Sequence, residues 1–263
     1  MTHPYLTGTR HPRVLAHRGL VSVEDALQGI VDNSFAAVAA AHAAGAEYVE
    51  SDCHLTADGV VVLFHDDDLA RVADDPRKIA DVTERERAEI MSGRGGLITL
   101  AQALDAFPGV RFNLDVKAED AAEPVGRLVA DHVDRVLVTS FSDERRVRAL
   151  RAASTGTRVP ATSAGSATIV RLLLALLVRS DRLVGAALRG LDAVQVPERR
   201  GPVRIVSERL IRAAHSHGVE VHVWTVNDTA DMTRLLDLDV DGLVTDHADL
   251  ALRAIAARRP ADA

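Results

Sequence analysis

Along the whole chain, short runs rich in β-branched and aromatic residues alternate with longer Ala-, Leu- and Arg-rich stretches of helical period. That alternation restricts the fold to a parallel α/β architecture. The β-rich runs fall at 14–17, 48–52, 60–65, 111–116, 136–140, 160–163, 193–196, 220–226 and 242–245. Helical stretches fall at 34–44, 100–106, 123–132, 143–153, 167–179, 207–217 and 230–236, with Gly45 suited to close the first of them. Over 263 residues the pattern predicts a (β/α)8 TIM barrel, a fold that reaches this size as one domain. No Pro-, Gly- or Ser-rich linker interrupts it, so 1–263 reads as a single domain with disordered ends at 1–12 and 258–263.

Nine runs are one too many for eight barrel strands, and Asp58-Gly59 accounts for the surplus. Asp-Gly between two β-rich runs is a hairpin signal, and seven residues between Asp52 and Val60 are too few for a helical crossover. The run 60–65 should therefore fold back antiparallel on the second strand as a β-hairpin extension. A turn centred on Asp58-Gly59 would return His65 to the level of Asp52.

Composition narrows the function. The net charge is 31 − 38 = −7, which excludes nucleic acid as a general partner but not an anionic small molecule held by local cations. The lone Cys53 cannot form an intramolecular disulfide and fits a reducing compartment. The N-terminus lacks the apolar core of a signal peptide. The most apolar run, 172–178, is far shorter than the ~20 residues of a transmembrane segment. A cytoplasmic protein is expected, with 172–178 packed on the barrel rather than facing lipid.

The polar residues cluster at predicted strand ends. His17-Arg18-Gly19 ends the first run and Phe64-His65-Asp66 the hairpin arm; two imidazoles suit proton transfer to and from a reacting oxygen. Glu50 and Asp52, at i and i+2, share one face of a strand whose Tyr48 and Val49 mark it as buried, an arrangement that calls for a cation. Asn113, Asp115 and Lys117 likewise share a face, opposite Leu114 and Val116. His54 lies on the Asp52 face, and Cys53 points away from it. Trp224, the only tryptophan, reads equally as core or as a pocket wall. Asp32-Asn33-Ser34 reads as a helix N-cap.

Taken in order, these segments resemble the glycerophosphodiester phosphodiesterase family. The resemblance runs through His17-Arg18-Gly19, Asp32-Asn33, Glu50-x-Asp52, Thr56-x-Asp58-Gly59, His65-Asp66 and Asp115-x-Lys117. Ser140-Phe141, the 223–227 stretch around Trp224, and Asp241-Gly242-x-x-Thr245-Asp246 complete it. It implies a (β/α)8 barrel that hydrolyses glycerophosphodiesters to glycerol 3-phosphate and an alcohol. It further implies a divalent metal, Ca2+ or Mg2+, on Glu50, Asp52 and Asp115; His17 and His65 as the acid/base pair; and Arg18 and Lys117 as phosphate contacts. Three departures stand out: Asp115 and Asp32 replace Glu, the stretch 20–31 is longer than usual, and His247-Ala248 occupies a position where proline is frequent. The alternatives are a lysophospholipase D-like or sphingolipid-type phosphodiesterase, and a non-catalytic binder of such head groups.

Overall fold

The computed structural model describes residues 2–258. Its principal strands are β1 (Arg13–His17), β2 (Tyr48–Leu55), β3 (Val61–Leu63), β4 (Arg111–Val116), β5 (Val136–Thr139), β6 (Ala161–Thr162), β7 (Ala193–Pro197), β8 (Glu220–Trp224) and β9 (Gly242–Thr245). All but β3 run parallel in the order β6-β5-β4-β2-β1-β9-β8-β7. The last gap, β7 to β6, is spanned by a single bridge, Ser163 to Ala193, and by the Asp192 N–H donating to Thr162 O at 2.9 Å. The result is a nearly closed eight-stranded barrel with helices between the strands. Among the described residues no helix is long and apolar enough to cross a membrane.

The hairpin forms, with its register moved by one residue. β3 pairs antiparallel with β2 through Cys53–Leu63, His54–Val62 and Leu55–Val61. The loop has three residues, with Gly59 at φ +80°, in place of the symmetric two-residue Asp58-Gly59 turn. Phe64, not His65, therefore lies level with Asp52, its N–H donating to Asp52 O at 2.9 Å.

Two of the three apolar clusters among the described residues follow from the alternation of side chains across each barrel strand; the third gathers Phe64, Leu69 and Ile79 beside the hairpin arm. Outward residues such as Val49, Cys53, Phe112, Leu114, Val138, Val194 and Val221 pack against the helices in the larger cluster. Inward residues Leu15, Tyr48, Leu137, Ala161, Ala193 and Val244 form a smaller one inside the barrel. Its floor is sealed by a segment expected to be disordered: Pro4–Leu6 forms a 3-10 turn, and Tyr5 and Leu6 are buried in the inner cluster. The reason is apolar burial, since Tyr5 stacks edge-on against Tyr48 at 5.2 Å. Of the ends expected to be disordered, Met1 and 259–263 lie outside the described residues.

Helices at Glu84–Met91, Asp181–Leu188 and Ala248–Ala257 lie outside the stretches expected from helical period. The first is mostly charged and starts instead on a reciprocal Thr83/Glu86 capping box. Its Arg87 is fully buried, 4.2 Å over the Phe64 ring, with no acceptor for its guanidinium nitrogens among the described residues. Burial pushes its pKa down to about 10.

A polar ladder threads the inner core. Arg13 grips Glu220 with two hydrogen bonds of 2.7 Å. Glu220 contacts His222 at 3.0 Å, His222 contacts Gln195 at 3.2 Å, and Gln195 accepts from Ser163 at 3.2 Å. Burial alone would raise the Glu220 carboxyl, but Arg13 and His222 hold it down to about 2 from an ordinary 4.5. The unfolded state thus takes up this proton first, and the stabilisation, complete above pH 4.5, is lost as pH falls toward 2. Glu220→Gln is expected to cost about 2–3 kcal/mol at pH 7 and to flatten the acid limb of a denaturation series over that window. Arg87→Met should raise stability by about 1–3 kcal/mol in urea titration, because it replaces an uncompensated buried cation.

Candidate active site

The site is the mouth where the inward rows of β1, β2 and β4 end. Strand register sets His17 beside Glu50, Glu50 beside Asn113, and Asp52 beside Asp115. After His17 the chain turns sharply: Arg18 takes a left-handed φ of 58° and Gly19 one of 96°. A Cβ on Gly19 would stand 2.6 Å from the Ala37 carbonyl carbon, so the turn admits only glycine.

The carboxylates are buried and partly compensated. Lys117 Nζ lies 2.9 Å from Asp52 Oδ1 and 2.7 Å from Asp115 Oδ2. Arg18 approaches Asp52 Oδ2 at 3.3 Å and Asp32 Oδ2 at 3.0 Å. Burial, then the charges of Asp52 and Asp115, push the Glu50 carboxyl well above the usual range. Burial also raises Asp115, against the pull of Lys117. Burial would lower the Lys117 amine, but Asp115 and Asp52 raise it above its ordinary value.

Three buried oxygens, Glu50 Oε2, Asn113 Oδ1 and Asp115 Oδ1, have no hydrogen-bond partner among the described residues. An all-oxygen set with orphaned acceptors has the donor chemistry of a hard divalent cation. The side chains do not form a ready-made cage, however. Among the described residues no three acidic, His or Cys groups converge as a ligand set, and Lys117 stands between Asp52 and Asp115.

Each expected acid/base histidine has its Nδ1 on a carboxylate. His17 Nδ1 lies 2.6 Å from Asp246 Oδ1, and its Nε2 is 3.8 Å from Glu50. Burial would raise Asp246, but His17 and Asn227 hold its carboxyl below the usual range. His65 Nδ1 lies 2.7 Å from Asp66, which also accepts from Arg71 at 2.6 Å. Arg71 continues to Asp32 at 3.1 Å, so an alternating chain of charge runs from His65 through Asp66, Arg71, Asp32 and Arg18 to Asp52. The buried His54 contacts the His65 carbonyl through Nε2 at 3.2 Å and braces that backbone.

Only Ser34 of Asp32-Asn33-Ser34 caps the helix Phe35–Ala43. Asn33 instead donates to Asp52 at 3.3 Å and accepts from Ser51, and Asp32 joins Arg18 and Arg71. The N-cap explanation fails for these two because the turn at Arg18 aims them at the mouth; the Asn33 N–H donates to Arg18 O at 2.8 Å. Trp224 is half-buried, packs on the inner cluster and meets the exposed Phe141 edge-on at 5.8 Å; Lys117 Nζ is 5.3 Å from the Phe141 ring. A cavity of about 300 Å3 opens over His17 and Asp246, reaches Asp32 and Arg71, and has an apolar side of Val21, Ile30 and Val31 from the long 20–31 stretch. Asp66, Asp246 and Arg71 carried no assigned role in the sequence reading. The register that brings Asp246 level with His17 appears only in the fold.

The model of the glycerophosphoryl diester phosphodiesterase family matches residues 17–250. A Mycobacterium tuberculosis relative named probable glycerophosphodiester phosphodiesterase 2 is 36% identical over 247 residues, covering 93% of this chain and 90% of its own. The crystal structure of a Thermotoga maritima glycerophosphodiester phosphodiesterase superposes with a TM-score of 0.71 at 24% identity, over 93% of this chain and 99% of that one. An Oleispira antarctica phosphodiesterase in complex with the product sn-glycerol-3-phosphate gives a TM-score of 0.69 at 21% identity, over 94% and 97%. Matched across nearly its whole length, this chain belongs to the glycerophosphoryl diester phosphodiesterase family.

Proposed function

We propose that the protein hydrolyses glycerophosphodiesters to glycerol 3-phosphate and an alcohol at the barrel mouth, with His17 and His65 as the acid/base pair. The observation that carries this reading is the matched pair of imidazoles, each with Nδ1 on a carboxylate and connected by charge to the acidic cluster. A carboxylate on Nδ1 fixes the tautomer and stabilises the imidazolium formed when Nε2 takes a proton. One histidine would remove a proton from the attacking hydroxyl and the other would protonate the leaving alkoxide. Arg18 and Lys117 would meet the non-bridging phosphate oxygens, and Trp224 with Phe141 would wall the alcohol side.

Glu50, Asp52 and Asp115, with the neutral oxygen of Asn113, would hold a divalent cation such as Ca2+ or Mg2+. The orphaned oxygens of Glu50, Asn113 and Asp115 support this. Bound there, such an ion supplies charge stabilisation to the phosphoryl group. The apolar side of the cavity favours a second reading, a lysophospholipase D-like activity in which Val21, Ile30 and Val31 meet an acyl chain.

A panel of glycerophosphodiesters scored for glycerol 3-phosphate release tests the main reading, and glycerophosphocholine set against lysophosphatidylcholine separates the two. His17→Ala and His65→Ala should each lower kcat by about 10²–10⁴; near wild-type turnover in both would remove them from the chemistry. EDTA should abolish turnover and added Mg2+ or Ca2+ restore it. Activity that persists after exhaustive chelation would exclude the metal.

A further inference from the structure

The helix Ser166–Leu177 has two apolar faces. Leu172, Ala175 and Leu176 are buried in the larger core cluster, as expected of 172–178, but Leu174, Leu177 and Val178 of the same run are exposed, against that expectation. On the other side Val170, Leu174 and Leu177, spaced i, i+4 and i+7, form a stripe that Val178 and Leu183 extend. All five are half exposed or more, Leu177 reaching 75%. The outer face of a barrel helix ordinarily carries charge, so the stripe marks a contact surface.

The charges around it are predominantly positive. Exposed Arg171, Arg179, Arg182 and Arg189 border the stripe, and residues 166–189 hold these four arginines against Asp181 alone, in a chain of net charge −7. Arg179, Arg182 and Arg189 make no ion pair among the described residues, and Arg171 only approaches Asp143 at 3.9 Å. Beside the stripe, a concavity of about 210 Å3 over Ala175, Leu176 and Val184 is lined by Arg179, Arg209 and Arg212 with Asp181, and Arg212 also pairs with Glu208 at 2.9 Å.

We propose that this face seats the protein on an anionic phospholipid bilayer, the leucines entering the acyl boundary and the arginines meeting lipid phosphates. Apolar residues ringed by guanidinium groups have the chemistry of a peripheral membrane surface. A second copy of the chain fits less well, because a two-fold contact would set these arginines against their own equivalents. The acidic remainder of the molecule is repelled by the same bilayer, which orients the barrel with this side down. The helix flanks the barrel wall, so the mouth stays open.

Co-sedimentation with vesicles tests the proposal. Wild-type protein should bind phosphatidylglycerol/phosphatidylcholine vesicles, ignore pure phosphatidylcholine, and release as salt rises. The pairs Leu174→Asp/Leu177→Asp and Arg179→Glu/Arg182→Glu should each weaken binding by about 10-fold or more, with circular dichroism and thermal unfolding unchanged. Absent or lipid-indifferent binding by the wild type, or undiminished binding by the leucine pair, overturns it. A dimer in light scattering that the leucine pair dissociates would assign the face to self-association instead.

Discussion

Bending eight strands into a cylinder forces every second side chain toward one axis, and the chemistry of this protein depends on that constraint. Along β1 the inward row reads Arg13, Leu15, His17; along β2 it reads Tyr48, Glu50, Asp52. The same two-residue step that carries a salt bridge at the floor and an apolar layer in the middle thus delivers imidazole and carboxylate at the mouth. Shifting any of these strands by one residue would turn its functional side chain out into the helices.

The mouth is compensated in part by the chain's own cations. Two buried acids so close to a third would be costly if bare, and Lys117 and Arg18 offset them by direct contact. In the proposed reading substrate phosphate would meet these same two groups, and binding would exchange internal carboxylate contacts for external ones. Arg71 holds Asp66 and Asp32 together in the same manner and keeps the hairpin arm tied to the turn at Arg18.

Fold class and strand positions were readable because hydrophobic period and Asp-Gly turn chemistry are local signals. The hairpin was legible as a hairpin, yet its register was not, since a left-handed Gly59 admits both a two- and a three-residue loop. Motif residues such as His17, Glu50 and Lys117 could be picked out as strand-end polar groups. Asp246 and Arg71 could not be given roles, and Asn33 only that of an N-cap, because their partners His17, Asp32 and Asp52 lie 229, 39 and 19 residues away, at separations only the folded chain resolves. The burial of Tyr5 was hidden for a related reason: nothing near it in sequence shows that a barrel floor awaits it.

The seam between β6 and β7 gives the molecule an uneven mechanical character. Seven junctions among the described residues are ladders of two or more residue pairs, whereas this one rests on a single bridge, one backbone hydrogen bond, the Thr162 N–H on the Asp192 carboxylate and the Ser163–Gln195 contact inside. In outline the barrel is a rolled sheet, fastened along one line by the crossover 164–192. That crossover contains both helices of the arginine-bordered face, so the proposed docking surface and the least-paired seam of the barrel are neighbours along the chain. Amide exchange should therefore begin along this line, and new chain ends would be best tolerated there.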